Sequence, residues 1–463
     1  MKKIFTTLII GIIVASCSDN FTDIAPTSNR NGADFYNNAN DFIFGINASY
    51  AGLQDNGVYG RAYWTMFEMR GDNTDQGPDQ TGLARVFTEI NAFTEDALNE
   101  QIDAAWIGSY RVIANSNVIL NRIDPIDMDA TLKNRIIGEA LFLRSLIYYH
   151  LAVAYGNIPL QLTPFIPGED LIQVDANTVY HQLVTDLQTA EQNLLVSNND
   201  VGRATKGAAA TLLAKVLLTM GNNSSAETVL RRIISDYNYS LIGNYSDLWG
   251  AANENNAESI FEVQFISGGI DQGSAFTNDF SPSGFLQNGQ GFGRNRPTLV
   301  MQNAYKANDQ RFQPSMGTTW VNPNDGVITT ANYVRKYESN PPSENDSDVN
   351  FIVFRYADVL LMLAEAIGES PESYGLINQV RNRAGLLDID ASTPGNFMEK
   401  LLHERQVELA FENHRWPDLK RFGVAAQKIS EAEPFISQSA VRNLFFIPQR
   451  EMDINPNFVQ NGN

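Results

Sequence analysis

Between residues 99 and 237 apolar side chains return every three or four positions, and the run is cut at intervals by Gly, Asn, Asp or Pro. That period fits one face of an α-helix and not an extended strand, whose side chains alternate with period two. Trp106, Tyr110, Ile113, Asn117 and Leu120 follow steps of four, three, four and three, which predicts a helix over 99–122 that Ile123-Asp124-Pro125 ends. Ile136, Ala140, Leu143, Ile147 and Leu151 mark a second over about 130–155, stopped by Gly156. Similar patterns cover about 178–196, 205–220 and 226–237. Short paired helices with polar breaks resemble stacked tetratricopeptide units, although no strict 34-residue sequence period is present. The chain is therefore predicted to be mainly α, a helical body with a few short strands and long irregular loops.

The loops have recognisable places. After a strand-like alternation at 259–265, residues 268–297 are rich in Gly, Asn, Ser and Gln, with Phe276, Phe280, Phe285 and Phe292 among them. A second irregular stretch, 317–350, carries Trp320, Tyr333 and Tyr337. Together with a polar segment near the N-terminus, they predict loop insertions at about 57–95, 264–297 and 314–350. Loops of that length are usually functional or disordered. Helical pattern returns at 358–367, 372–384 and 397–412, before an apolar piece at 444–448.

The first residues give an address. Lys2 and Lys3, the apolar run 4–14 and the small residues Ala15 and Ser16 precede Cys17, the only cysteine. An apolar run this short cannot cross the roughly 30 Å hydrocarbon layer, so it reads as a secretory signal. A cysteine directly after small residues is what lipoprotein processing acylates. The expected organisation is a cleaved signal peptide over 1–16, a lipidated tether over 17–33 starting at Cys17, and a single binding body over 34–463. A flexible tether of that length spans about 20 Å at roughly 5–6 Å × √n. No thiol is left for a disulfide. Beyond residue 17 no apolar run suggests a membrane span. The formal charge of −20 disfavours nucleic acid as a partner.

Catalytic signatures are thin. The four histidines form no zinc-helix spacing, no Gly-x-Ser-x-Gly elbow occurs, and the glycines at 289, 291 and 293 lack the strand and helix of a phosphate loop. No cofactor is expected. With 53 acidic residues a carboxylate pair for glycoside hydrolysis remains open. Aromatic rings among polar loop residues are more informative, because a ring face can stack on the apolar face of a sugar while neighbours bond its hydroxyls.

Several blocks then add up. The Trp106/Tyr110/Asn117 stripe, Gly138-Glu139-Ala140-Leu141-Phe142-Leu143-Arg144 running into Tyr155-Gly156-Asn157-Ile158-Pro159, and Arg203-Ala204-Thr205-Lys206-Gly207 come in order. Arg355-Tyr356-Ala357-Asp358, Glu404-Arg405-x-x-Glu408-Leu409-Ala410-Phe411-Glu412 with His414-Arg415-Trp416, and Phe446-Ile447-Pro448 follow. This ordered set resembles the SusD/RagB-like outer-membrane lipoproteins of Bacteroidetes. Pro417 stands where that family usually has an aromatic, and a new helix is expected to begin there.

The resemblance implies a non-catalytic lipoprotein of the outer membrane, facing the cell exterior, that captures an oligosaccharide or polysaccharide and passes it to a SusC-like TonB-dependent channel. Oligopeptide capture on the same scaffold, or less readily a surface glycoside hydrolase, are the alternatives. The matched blocks are scaffold, so ligand contacts are nominated from the loops: Trp320 first, then Trp64, Asp72, Asp75, Gln80, Arg85, Phe276 and Phe292. Buried ion pairs are expected from Arg144, Glu404, Arg405, Glu408 and Arg415, and an N-cap from Thr205. A divalent ion near 72–79 is open but not predicted.

Overall fold

The computed structural model describes residues 35–76, 81–282, 286, 291–322 and 325–462. The signal, Cys17, the tether and Gln80 lie outside them. Six long helices come first: α1 (Ala39–Ala51), α2 (Glu100–Arg122), α3 (Ala130–Tyr155), α4 (Ala176–Asn193), α5 (Lys206–Thr219) and α6 (Asn223–Asp236). From α2 onward each packs on the next, and α6 packs on α7 (Tyr356–Ile367), which packs in turn on α8 (Pro371–Arg383) and α9 (Phe397–Glu408). This is the stacked succession that the helical period implies, and the protein is mainly α. Its strands are short: β1 (Ser259–Val263), β2 (Met316–Val321), β3 (Ile328–Val334) and β4 (Phe351–Arg355), with β1 antiparallel to β4 and β2 to β3.

Local chemistry explains the helix ends. Asn99, Asp129, Asp175, Thr205 and Asn222 each accept a backbone N–H of the first turn, as N-caps do. Ser370 precedes Pro371 at the first position of α8, and Asn396 with Glu399 forms a capping box on α9. Gly156 ends α3 at φ +70°, a conformation L side chains rarely adopt.

α3 departs from the one-faced helix that its spacing suggests. Every residue from Gly138 to Tyr155 is buried, because α1, α2, α4 and α5 surround it. It is long and apolar enough to span a membrane by composition, contrary to the reading of the sequence beyond residue 17, yet 94% of its most apolar window is inside the protein. Its one buried cation, Arg144, reaches Asp186 on α4 at 2.6 Å and Asn117 on α2 at 2.9 Å. Three successive helices are pinned at one guanidinium.

The C-terminal blocks form a larger ionic network in the core. Arg355, at the start of α7, meets Glu258 at 2.8 Å, Glu408 at 2.5 Å and Glu412 at 2.7 Å. Glu408 is shared with Arg311 at 3.1 Å and with Arg383, and Glu404 joins Arg311 to Arg381. A neighbouring set links Arg405 to Asp358 and Asp418, and Asp358 to Lys215 on α5. Such pairs add little net stability when made, but losing one partner strands a charge. Their geometry fixes the relative placement of α5, α7, α8 and α9.

The chain between α9 and the next helix, α10 (Arg415–Arg421), turns through two non-glycine residues at positive φ, Phe411 (+67°) and Asn413 (+65°). Glu68 holds that turn by accepting their backbone N–H groups at 3.0 and 3.2 Å. Burial pushes the Glu68 carboxyl up to about 7 against those bonds. α10 begins at Arg415, two residues before the predicted start at Pro417. Pro417 lies within the first turn, where helix N–H groups have no partner inside the helix, so its missing N–H is harmless.

Candidate functional site

Two of the predicted insertions are less irregular than their composition suggests. Residues 57–95 contain helices at Ala62–Phe67 and Arg85–Asn91, and 314–350 contain the β2–β3 hairpin. Val86, Phe87 and Ile90 supply the apolar side of the Arg85–Asn91 helix. In the hairpin, the β-branched residues Thr, Ile and Val, which favour extended backbone, make up much of both strands.

The three insertions meet. Thr74-Asp75 pairs antiparallel with Arg296-Pro297, and Arg296 grips Asp75 through two bonds of 2.9 and 3.0 Å. The Thr298 hydroxyl donates to the Asp72 carbonyl at 2.8 Å. From the hairpin, the Asn332 amide reaches the Pro297 carbonyl at 3.3 Å and Gln302 at 3.2 Å. Residues 292–294 lie along the short helix Phe276–Phe280, with Phe292 N–H on the Asn278 carbonyl at 2.8 Å and Arg294 N–H on that of Asp279 at 2.7 Å. The approach is close enough that a Cβ at Gly291 would sit 2.2 Å from the Pro282 carbonyl oxygen, so only glycine fits there.

Out of this junction rises a column of stacked planar groups. Trp64, 1% exposed, lies parallel to Phe87 with centroids 5.7 Å apart. Next comes the Arg294 guanidinium, 4.5 Å from the Phe87 centroid and 4.6 Å from that of Phe292. Phe292 ends the column and is only half-buried. Asp279 holds the column's cation: its carboxylate accepts from Arg294 at 2.6 Å and from Arg61 at 2.9 Å. Arg85, its side chain 62% exposed, pairs with Glu89 one turn along the same helix.

The nominated residues therefore divide by position. Phe292, Arg85 and Asp75 stand at the junction with solvent access. Trp64 and Phe276 (0% exposed) are core residues, Phe276 packing on Phe265, Tyr337 and Phe351. Asp72 is 1% exposed and bound by Arg415 at 2.5 and 2.7 Å. Trp320 is enclosed to 7% on β2, opposite Thr329. Phe87, Arg294, Arg61 and Asp279 were not singled out from the sequence. An Arg two residues after a Phe within a glycine-rich stretch is the signal that could have marked Arg294; for Asp279 nothing local distinguishes it from any loop acid.

Asp279, fully buried between two guanidinium groups, has no free oxygen geometry for acid–base work. Among the described residues no three His, Cys, Asp or Glu side chains converge as metal ligands. What the junction offers is an apolar ring face beside charged, planar hydrogen-bonding groups.

Two models of one family match most of the chain: "SusD family" over residues 315–463 and "Starch-binding associating with outer membrane" over 35–218. The chain belongs to the SusD-like family. Among its relatives, SusD-like protein P2 of Formosa agariphila is 28% identical, with 100% of this chain and 99% of the relative covered. SusD-like protein P25 of the same species is 27% identical over 98% and 97%. A solved laminarin-binding SusD-like protein superposes with a TM-score of 0.81 at 26% identity, covering 92% of this chain and 99% of that one. The surface glycan-binding protein A of Bacteroides thetaiotaomicron, solved with laminarihexaose, shares the fold at a TM-score of 0.80 and 22% identity.

Proposed function

We propose that this SusD-like protein captures a glycan at the cell surface, without cleaving it, and hands it to a TonB-dependent channel. The observation that carries the reading is the half-exposed Phe292 ring at the end of the Trp64–Phe87–Arg294 column, with Arg61 on the same Asp279 as Arg294, Arg85 on the helix that carries Phe87, and the Arg296–Asp75 pair two residues along the chain from Arg294. A sugar's C–H face stacks on such a ring, and its hydroxyls bond the flanking guanidinium and carboxylate groups. The column's packing sets the ring before ligand arrives, which lowers the ordering cost of binding. Similarity to a laminarin-binding protein makes β-linked glucan the first ligand to try. The lipid on Cys17 would hold the body at the outer membrane, so that a captured oligomer stays at high local concentration beside the channel.

Native electrophoresis through gels containing laminarin, starch or mannan, with an oligopeptide mixture as competitor, tests the reading. Retardation by a polysaccharide with no release of reducing ends is the expected result. Release of product would establish a hydrolase instead, and competition by peptide alone would favour peptide capture.

A further inference from the structure

On the other side of the β2–β3 hairpin an open cleft of about 720 Å³ runs past Trp249, Ser246, Gln313, Arg335, Glu338 and Asn340. It shares no lining residue with the aromatic column. The two back onto each other through the core, since Tyr337 packs on Phe280 and Phe280 packs edge-on against Trp64. Trp249 is half-buried. Its ring nitrogen is buried without a hydrogen-bond partner, so the part it shows to the cleft is carbon. The buried Lys336 ammonium, itself paired with Glu412 at 2.7 Å, lies 4.3 Å from the ring centroid, and Tyr245 packs edge-on at 5.6 Å. The ring is thereby fixed in place from below, and its presented surface is apolar.

The rim is polar and partly unsatisfied. Arg335 donates through Nε to Glu338 at 2.9 Å and through Nη1 to the Gln313 carbonyl at 3.3 Å. Arg335 Nη2 and Glu338 Oε1 make no hydrogen bond among the described residues, and both side chains are about one-third exposed, at 37% and 33%. A fixed apolar ring next to a guanidinium–carboxylate pair with a free donor and a free acceptor matches a pyranose, whose C–H face and vicinal hydroxyls need both.

We propose that the Trp249 cleft is a second saccharide site, separate from the Phe292 junction and able to bind another stretch of the same polysaccharide. The inference rests on the glycan reading above. Two sites on one body convert the second contact into an intramolecular one and raise retention on long chains more than affinity for short ones.

The test uses the full soluble body, laminarihexaose and laminarin, with Trp249→Ala and Asn340→Trp, the latter blocking the cleft from its exposed rim. Titration of the wild-type protein should show two hexasaccharides bound per chain; either variant should show one, with laminarin retention in the gel falling several-fold. Phe292→Ala should leave one site, abolished by adding Asn340→Trp. A wild-type stoichiometry of one that neither cleft variant alters would overturn the second site while leaving glycan capture intact. Retention on no polysaccharide at all would overturn the glycan reading, and the second site with it.

Discussion

At the scale of single residues, position in the column decides what a ring does. Phe292 ends it in solvent; Trp64 begins it in the core. Replacing Phe292 with Ala should cost about 1–3 kcal/mol of glycan affinity, by analogy with ring stacking on bases, while thermal stability changes little. Trp64→Ala removes a fully buried indole and should cost about 3–5 kcal/mol of folding stability, read in a denaturant titration. An affinity loss for Trp64→Ala without any loss of stability would show that its ring reaches the ligand. A sequence marks both as aromatics in polar surroundings. It cannot mark which is buried, because burial of Trp64 depends on Phe87 and on Phe280, some 200 positions away.

At the scale of elements, the buried ion pairs act as register marks between helices. Glu408 serves Arg355, Arg383 and Arg311 together, so Glu408→Gln should destabilise the protein by about 3–5 kcal/mol. A loss under 1 kcal/mol in chemical denaturation would mean that the network is hydrated. The same network sets an acid limit. Burial pushes the Glu408 and Asp418 carboxyls up, but the guanidinium groups of Arg383, Arg355 and Arg311 around the one, and of Arg405 and Arg421 around the other, outweigh it. Glu408 ends below its ordinary 4.5, and Asp418 falls from 3.8 to about 2. Carboxyls depressed by folding contribute stability that is complete above the unfolded values and is lost as pH falls through the folded ones. Melting temperature should therefore drop steeply from about pH 4.5 downward, and the Glu408→Gln variant should show a shallower drop. The helices themselves were legible, because caps such as Asn99 and Thr205 and the 3.6-residue period are local signals. Arg144 on an apolar helix announced a buried pair, though not that Asp186 and Asn117 would be its partners.

At the scale of the whole molecule, a succession of packed helices carries loops whose ordering depends on each other. The 57–95, 264–297 and 314–350 segments read as separate polar insertions, yet Asp75–Arg296 and Asn332–Pro297 join them. No short-range pattern encodes those contacts, which is why the scaffold was clear from sequence and the meeting of the three loops was not. Trp320, a ring among small polar neighbours in the sequence, is enclosed, whereas Trp249, just upstream of β1, borders an open cleft. The central claim is that the Phe292 junction receives a glycan. The most direct measurement is a crystal structure of the soluble body soaked with laminarihexaose or with the oligosaccharide that the gel panel selects. The account predicts a sugar ring stacked on Phe292, with hydroxyls within hydrogen-bond reach of Arg61, Arg85 or the Arg296–Asp75 pair. A bound oligosaccharide that leaves Phe292 bare would contradict it.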